Sequence, residues 1–155
     1  YLIFNAYRLS QKEAIILVHQ TANSVLLHQK GAILNIHSKS SKNLDFMTSN
    51  YAIAERIDSI ATENLSNSYQ IEHHELYIMD SSATYSTTIG VDHLVLTQSP
   101  KVNLERLIEK VHPNIVVADG SNYKSYITRW KATCRKKEIP FHYTGEKGAY
   151  YFKME

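Results

Sequence analysis

Short runs of branched apolar residues fill the first 40 positions of the chain, and small tripeptides interrupt them. The four runs are LIFNAY (2–7), AIILVH (14–19), SVLLHQ (24–29) and AILNIH (32–37). The tripeptides that separate the last three runs are Thr21-Ala22-Asn23 and Gln29-Lys30-Gly31. Apolar runs of this length, bounded by turn-forming residues, are typical of strands, so the pattern predicts an antiparallel meander.

The middle of the chain changes to helical spacing. Its apolar residues at such intervals are Phe46, Ile53, Ile57 and Ile60. This spacing predicts a helix over 44–62. A polar loop is expected next, and then two strands, in YQIEH (69–73) and ELYIMD (75–80).

Strands alternate with helices in the last third. Asn103 suits the N-cap of a helix whose apolar stripe is Leu104, Leu107, Ile108 and Val111. The predicted elements in order are a strand in DHLVLTQ (92–98), this helix, a fully apolar strand in NIVVAD (114–119), a helix over 124–138, and strands in FHYT (141–144) and AYYFKM (149–154). A turn bounded by Gly145 and Gly148 joins the last two strands. The predicted fold class is therefore α/β, a sandwich in which an antiparallel meander precedes a β-α-β-α-β-β unit.

Length and composition are those of a soluble globular protein. The chain has 155 residues, of which 43% are hydrophobic and 21% charged. Its longest apolar runs, such as AIILV, are far shorter than the roughly 20 residues of a membrane-spanning helix. We expect a single soluble domain over 1–155, cut from a longer protein. Because Cys134 is the only cysteine, an internal disulfide and a cysteine-rich zinc site are excluded.

Charge is distributed unevenly along the chain. Residues 1–100 hold 6 Lys and Arg against 9 Asp and Glu, whereas residues 101–155 hold 11 against 6. The balances are −3 and +5. Such asymmetry is typical either of a surface that faces a polyanion or of an ordinary solvated lysine-rich surface.

Three histidines recur every nine residues and invite a metal hypothesis. They are His19, His28 and His37. The expected hairpins place residue 20 opposite 24 and residue 29 opposite 32. His28 then lies about four residues from His37 along the sheet, roughly 13 Å, and His19 faces the other side. No metal site is predicted from these histidines, since zinc needs its ligands close together.

The turn Asp119-Gly120-Ser121-Asn122 joins the apolar strand to the following helix. Ser121 or Asn122 could cap that helix, and Gly120 permits a sharp change of direction. Free N–H groups at a helix start also favour anions, although Asp119 opposes one. The turn is therefore either a simple cap or part of an anion site.

Three basic side chains extend this candidate site along the helix. Lys124, Lys131 and Arg135 share the face opposite Ile127 and Trp130. Together with Ser121 and Asn122 they are the candidate residues for binding a phosphate or a DNA backbone. Tyrosines near them or in the last strand could stack on bases, or simply pack in the core. These tyrosines are Tyr123, Tyr126, Tyr150 and Tyr151.

Three segments in fixed order resemble the C-terminal end of ComEC-type competence proteins, the inner-membrane channels of DNA uptake. They are VDHLVLTQSPK with NLERLIEKVHP (91–113), NIVVADGSNYKSYITRWKATCRKKEIPFHYT (114–144) and GEKGAYYF (145–152). Over residues 1–60 only the order of strands is similar. The resemblance implies a metallo-β-lactamase-like domain on the extracytoplasmic side of a membrane channel.

The chain departs from that family at the metal ligands. Thr97-Gln98-Ser99-Pro100-Lys101 stands where active members carry Gly-His-His-Gly-Ser, and no His-x-His-x-Asp-His cluster occurs. A two-zinc hydrolase needs such ligands to activate water. The resemblance therefore implies a reduced metallo-β-lactamase-like sandwich that has no catalytic residues, no metal and no other cofactor.

The resulting hypothesis is a non-catalytic module that guides DNA through non-specific phosphate contacts or docks on the other domains of the channel. Two alternatives stay open. One is a metal-dependent phosphoesterase with a divergent site around Asp80, Asp119 and His142, which adjoin predicted strands. The other is an interaction domain without affinity for DNA.

Overall fold

The computed structural model of the protein describes residues 13–40, 44–71, 74–83 and 91–152. Its strands are β1 (Glu13–Val18), β2 (Val25–Lys30), β3 (Ile33–Ser38), β4 (Ser59–Asn64), β5 (Ser68–Ile71), β6 (His74–Met79), β7 (His93–Leu96), β8 (Ile115–Ala118), β9 (Phe141–Tyr143) and β10 (Tyr150–Phe152). Its helices are α1 (Asp45–Ala54), α2 (Leu104–Val111), α3 (Lys124–Lys136) and α4 (Thr144–Lys147). The strand predicted in LIFNAY lies outside the described residues.

Two five-stranded sheets hold these strands, in the orders β10-β1-β2-β3-β4 and β5-β6-β7-β8-β9. The predicted meander β1-β2-β3 is confirmed. Strands β6 to β9 are parallel to one another, and β5 is antiparallel to β6. The predicted alternation of strands and helices from β7 to β9 is therefore also confirmed.

The predicted registers of both hairpins were wrong, by one residue in the first and by two in the second. Val18 pairs with Val25 because the first connection is longer than expected, and the buried side chain of Asn23 holds it by hydrogen bonds to the backbone of Ser24 and Ser40. In the second hairpin the turn begins at Gly31, whose φ is 62°. Lys30 therefore still belongs to β2. As a result His37 pairs with Leu26, two positions from His28 on the same face.

The helix predicted over 44–62 was also wrong beyond Ala54. The chain turns at Arg56, whose φ is 54°, and then forms β4 parallel to β3. Ile57 packs under the first sheet while Ile60 lies on β4 and is half exposed. The apparent helical spacing thus came from two separate elements, a helix and a strand, whose apolar residues happen to lie three to four positions apart across the turn between them.

The last strand does not stay in the second sheet. Between β9 and β10 the expected turn is the short helix α4, after which β10 crosses to the first sheet. There Phe152 pairs with Ile15 and Tyr150 with Leu17. The C-terminal strand therefore borders the N-terminal meander and is not the partner of β9.

Three apolar clusters separate four layers. Ile16, Leu27 and Ile36 face α1, on the outer side of the first sheet. The cluster between the sheets consists of Ile15, Leu17, Leu26, Leu76, Ile78, Val95, Val117 and Phe152. The far side of the second sheet packs on α2 and α3. The α/β sandwich is confirmed, whereas its relation to metallo-β-lactamases stays a prediction.

Two local predictions for this half are also confirmed. Asn103 caps α2, since its side chain accepts a hydrogen bond from the backbone N–H of Arg106 at 3.1 Å, and the predicted apolar stripe is buried. Val116 and Val117 on β8 are both fully buried, so the strand is covered on both faces. Among the described helices, none combines the length and the apolar character that a bilayer crossing demands.

Replacement of Phe152 by Ala is expected to lower the free energy of unfolding by about 3 kcal/mol, because it empties space between the sheets. Its ring centre lies 5.0 Å from that of His93 and 4.8 Å from that of Tyr150. Urea denaturation measures the loss. The matched control is Tyr151→Ala on the same strand. Because Tyr151 is 64% exposed, this replacement should lower the free energy of unfolding by less than about 1 kcal/mol. Equal losses would contradict this account of β10.

Candidate functional site

The parallel strands β6 to β9 all end at one edge of the second sheet. The loops that follow β7, β8 and β9 contact the β1–β2 loop of the first sheet at this edge. In layered α/β folds the carboxyl ends of parallel strands are the usual place for a ligand site. The residues at this edge therefore decide what the domain can do chemically.

A buried carboxylate lies at the centre of this edge. Asp119, which follows β8, is fully buried. Its Oδ1 accepts hydrogen bonds from the backbone N–H of Ser121 at 3.1 Å, from the Ser121 hydroxyl, and from Asn122 Nδ2 at 3.3 Å. Its Oδ2 is buried without a hydrogen bond from the described residues. Oδ1 of this carboxylate thus accepts three hydrogen bonds from its own turn.

Burial raises the pKa of Asp119 to about 6, against the opposing effect of the Ser121 and Ser24 hydroxyls. At neutral pH the group is therefore mostly a buried anion. Such a charge disfavours a second anion nearby. The centre of the edge is consequently a poor place for a phosphate.

Ser121 and Asn122 face inward and connect neighbouring loops. The Ser121 hydroxyl accepts hydrogen bonds from the backbone N–H of Gln98 at 2.8 Å and from the Ser24 hydroxyl at 3.0 Å. Asn122 accepts one from the backbone N–H of Ser99 at 2.8 Å and donates one to the Leu96 carbonyl at 2.7 Å. These side chains join the ends of β7 and β8 to the first sheet.

The expectation that Ser121 or Asn122 caps α3 was wrong. The N-cap is Tyr123, and its side chain makes no capping hydrogen bond. The backbone N–H of Tyr123 instead donates to the Ser99 hydroxyl at 2.8 Å. The loop after β7 thus supplies the hydrogen-bond acceptor at the helix start that the turn itself was expected to supply.

Gly120 allows the β1–β2 loop to lie directly on this turn. A Cβ atom at position 120 would stand 2.5 Å from the Gln20 carbonyl oxygen and 2.7 Å from His19 Cε1. The backbone N–H of Ala22 points at the Gly120 carbonyl at 3.4 Å, and His19 Nδ1 lies 2.8 Å from the Thr144 hydroxyl. Glycine is therefore required here for close approach.

The three predicted basic residues share an exposed face of α3. Lys131 forms an ion pair with Glu146, with both carboxylate oxygens 3.1 Å from its Nζ. Lys124 and Arg135 have no carboxylate partner within the described ranges. The structure thus brings the basic residues together, but Ser121 and Asn122 do not point towards them.

Sequence reasoning missed a groove between α2 and α3. Its volume is about 510 Å³, and Lys101, Tyr126, Arg129 and Trp130 contribute to its walls. The Arg129 guanidinium carbon lies 4.7 Å from the centre of the Tyr126 ring. The only sequence signal was local, since Tyr126 and Arg129 are three positions apart on one helix. The contribution of Lys101 depends on how the two helices pack.

The donor set at this edge does not fit the two-zinc centre of an active metallo-β-lactamase-like hydrolase. Thr97, Gln98 and Ser99 offer hydroxyl, amide and backbone groups where imidazoles would be needed. Thr97 is fully buried and donates from its hydroxyl to the Met79 carbonyl at 3.0 Å. In the part of the chain that the structure describes, no three His, Cys, Asp or Glu side chains are placed to hold a metal ion.

The three residues proposed for a divergent phosphoesterase have separate partners. Asp80 accepts hydrogen bonds from the Ser82 hydroxyl at 2.5 Å and from Lys39 Nζ at 3.3 Å. The Ser82 hydroxyl holds the pKa of Asp80 below its ordinary value. His142 Nε2 lies 2.8 Å from the Gly148 carbonyl oxygen. Asp80, Asp119 and His142 are thus each fixed by their own neighbours.

The histidines on the first sheet pair with carboxylates, each at a separate position. His28 Nε2 lies 3.0 Å from Glu13, and His37 Nδ1 lies 3.6 Å from Glu63. Burial lowers the pKa of His37, although Glu63 acts in the opposite direction. His37 also packs edge-on against Tyr69, with ring centres 5.1 Å apart. These contacts position side chains between the sheets.

Asp119→Asn is expected to change how stability depends on pH. The folded state raises the pKa of Asp119 from an ordinary 3.8 to about 6, so it favours the protonated form. The protonated Asp119 side chain therefore contributes its full stabilisation of the folded state below about pH 4, and this stabilisation is lost as the pH rises through about 6. Wild type should therefore lose about 3 kcal/mol relative to Asp119→Asn between pH 4 and pH 7, measured by urea unfolding.

Asp80→Asn provides the matched control of opposite sign. Because the pKa of Asp80 is lowered, its ionised form stabilises the fold above the ordinary pKa and ceases to do so as the pH falls through the lowered one. The stability difference between wild type and Asp80→Asn should grow with pH over the acid range. A difference that is independent of pH for Asp119→Asn would refute the assigned burial of its charge.

Gly120→Ala is expected to destabilise the protein by about 1 to 3 kcal/mol, because the new methyl group must displace the backbone of Gln20 or the ring of His19. Chemical denaturation measures this loss. Ser49→Ala, at an exposed position of α1, is the control and should stay within about 0.5 kcal/mol of wild type. A comparably small effect at position 120 would mean that the β1–β2 loop moves away at no cost.

Comparison with known proteins agrees with the resemblance seen in the last third. The family model of the ComEC C-terminal domain matches residues 7–154. No curated protein and no solved structure matches the chain. The family match also covers residues 7–60, where the sequence had offered only an order of strands. The chain therefore belongs to the ComEC C-terminal domain family, whose members are domains of membrane-associated competence proteins of DNA uptake.

Proposed function

We propose that this domain is a non-catalytic module of a ComEC-type channel, that it lies on the extracytoplasmic side of the membrane, and that it guides DNA by non-specific phosphate contacts. One observation carries the proposal. The edge at which a hydrolytic centre would lie is occupied by internal hydrogen bonds around Asp119, while the outer helices carry cations that have no carboxylate partner among the described residues.

The first half of this observation supports the absence of hydrolysis. A metal-activated water needs several imidazole or carboxylate ligands that converge on one point. At this edge one carboxylate oxygen of Asp119 accepts hydrogen bonds from Ser121 and Asn122. The loop after β7 supplies hydroxyl and amide groups. The groups present are suited to joining loops and do not make a metal-ligand set.

The second half supports contact with DNA. Five of the cations that lack a carboxylate partner among the described residues lie on α2, on α3 and in the loop between β7 and α2: Lys101, Arg106, Lys124, Arg129 and Arg135. All are exposed. Lysine and arginine that neutralise phosphates release counterions and so give affinity without sequence preference. This layer of the sandwich can therefore follow a DNA backbone.

Docking on the remainder of the channel has support from the first sheet. Every residue of β4 is exposed, and β4 is the last strand of its sheet within the described residues. An open edge strand can accept a further strand by backbone hydrogen bonding. We place the contact with the other domains of the parent protein at this edge, away from the DNA-facing helices.

Fluorescence anisotropy with labelled DNA tests the proposal. Binding should be measurable at low salt and should weaken steeply as salt rises, because phosphate contacts release counterions. Reversal of Lys124, Lys131 and Arg135 to Glu is expected to weaken binding at least about tenfold at low salt. An absence of binding at low salt would leave docking alone as the role of the domain.

A second triple variant controls for net charge. Lys30 and Arg56 are exposed cations without a described carboxylate partner, and Lys39 is paired with Asp80 as Lys131 is with Glu146. Reversal of these three residues should leave the affinity nearly unchanged. Metal-dependent cleavage of DNA by the purified domain, with zinc or manganese added, would defeat the non-catalytic reading.

A further inference from the structure

The open edge of β4 combines outward-pointing backbone groups with a polar pocket at one end. Of the four described strands that end a sheet, β4 is the longest, with six residues against four in β5 and three each in β9 and β10. It contains neither proline nor lysine, the residues that commonly keep an edge strand from pairing. We infer that β4 binds an extended peptide segment by strand addition and that the pocket takes an arginine or lysine side chain of that segment. The inference rests on the docking role within the proposed function.

The backbone of β4 has its free side at alternate residues. The N–H of Ser59, at the start of the strand, and that of Leu65, just after its end, donate to carbonyls of β3 or of the residue before it, at 3.2 and 3.1 Å. Because the backbone groups of a strand alternate in direction, the N–H and C=O groups of Ile60 and Thr62 point to the open side. An added strand therefore finds donors and acceptors at these two residues.

The side chains at these two positions suit a branched apolar partner. Ile60 lies beside Leu34, and Thr62 beside Ile36, on the face of the sheet that packs on α1. Ile60 is 50% exposed. A branched residue placed opposite Ile60 would cover part of this surface, and cross-strand pairs of this kind stabilise a sheet.

The polar pocket lies at the carboxyl ends of β3 and β4, which are parallel. Its volume is about 640 Å³. Hydroxyl, amide and carboxylate oxygens dominate its walls, which consist of Ser38, Lys39, Ser40, Thr62, Glu63 and Asn64. Arginine and lysine side chains end in hydrogen-bond donors and carry no acceptor. The wall oxygens therefore match a cationic side chain.

Glu63 gives this pocket a negative charge. Its side chain is 59% exposed, and its described neighbour is His37, whose Nδ1 is 3.6 Å away and has no hydrogen bond from the described residues. Burial lowers the pKa of His37 from its ordinary 6.5, so the ring is uncharged at neutral pH. Lys39, the cation of the pocket wall, lies 3.3 Å from Asp80. A cation of the partner would thus neutralise Glu63.

The alternation along β4 also fixes where the cation of the partner stands. Glu63 has the same parity as Ser59, so its backbone groups face β3. In an antiparallel partner, the more stable of the two orientations, the residue opposite Glu63 forms a pair without hydrogen bonds, in which side chains lie closest. The expected partner therefore has a cation opposite Glu63 and branched residues opposite Thr62 and Ile60.

The peptide Thr-Arg-Val-Thr-Val-Thr carries this pattern and tests the inference. Anisotropy of the labelled peptide, titrated with the whole 155-residue chain, should give a Kd below about 1 mM. Glutamate in place of the arginine should weaken binding at least about tenfold. N-methylation of both valines should abolish binding, because their N–H groups would face β4. N-methylation of the two threonines that follow the valines is the matched control and should leave binding nearly unchanged.

Substitutions in the chain test the pocket separately. Glu63→Gln should weaken binding of the arginine peptide at least about tenfold, and Glu63→Lys should reverse the preference in favour of the glutamate peptide. The matched control is Glu109→Gln on α2, since the side chain of Glu109 is 58% exposed against 59% for Glu63. It should bind both peptides as wild type does. Thermal unfolding of each variant verifies that it is folded.

Hydrogen exchange locates the added strand. Amide exchange at Ile60 and Thr62, followed by NMR, should slow when the arginine peptide is bound. Exchange at Ala61 should stay the same, because its N–H faces β3. Slower exchange along β5 or β10 in place of β4 would overturn the inference.

The remaining outcomes separate this inference from the proposed function. Absence of binding up to about 1 mM, or equal binding of the arginine and glutamate peptides, overturns the inference. Self-association of the chain that Thr62→Pro removes, seen by sedimentation, also overturns it, because a second copy then covers β4. DNA affinity should be the same in Glu63→Gln as in wild type. If DNA binds and the peptide does not, only the inference fails. If the peptide binds and DNA does not, the DNA role fails and the inference stands.

Discussion

The whole arrangement depends on apolar packing between the two sheets. Val95 and Val117 are completely buried against residues such as Ile15 and Leu26 of the other sheet. This contact fixes the distance and orientation of the strands, and so decides where their loops end. Beyond the last apolar pair the loops must satisfy one another's polar groups, since buried N–H and C=O groups without partners are costly. The Ser121 hydroxyl and the Asn122 amide meet this demand.

That solution has a chemical consequence for the domain. At the edge where layered α/β proteins usually bind ligands, hydrogen bonds join the loops to one another, and burial raises the pKa of the central carboxylate. The outer helices carry exposed cations that have no carboxylate partner among the described residues. The DNA contact that we propose and the edge at which ligand sites usually lie in such folds are therefore on different surfaces.

Local patterns predicted the second half of the fold well. The cap at Asn103 and the fully buried strand β8 depend on neighbours in sequence, so the sequence was sufficient. The helix over 44–62 failed because periodicity cannot tell one element from two in line. At the candidate site the decisive contacts are distant. Ser24 and Ser121 are 97 residues apart, and the groove needs α2 and α3 already packed.

The crossing of β10 to the edge of β1 has a consequence for biosynthesis. Strand β1 can acquire this neighbour only when the segment that ends at Phe152 has left the ribosome. Until then the meander exposes an unpaired edge, the kind of surface on which nascent chains associate wrongly. Closure of the first sheet is therefore a late, long-range event, because it pairs the first described strand with the last.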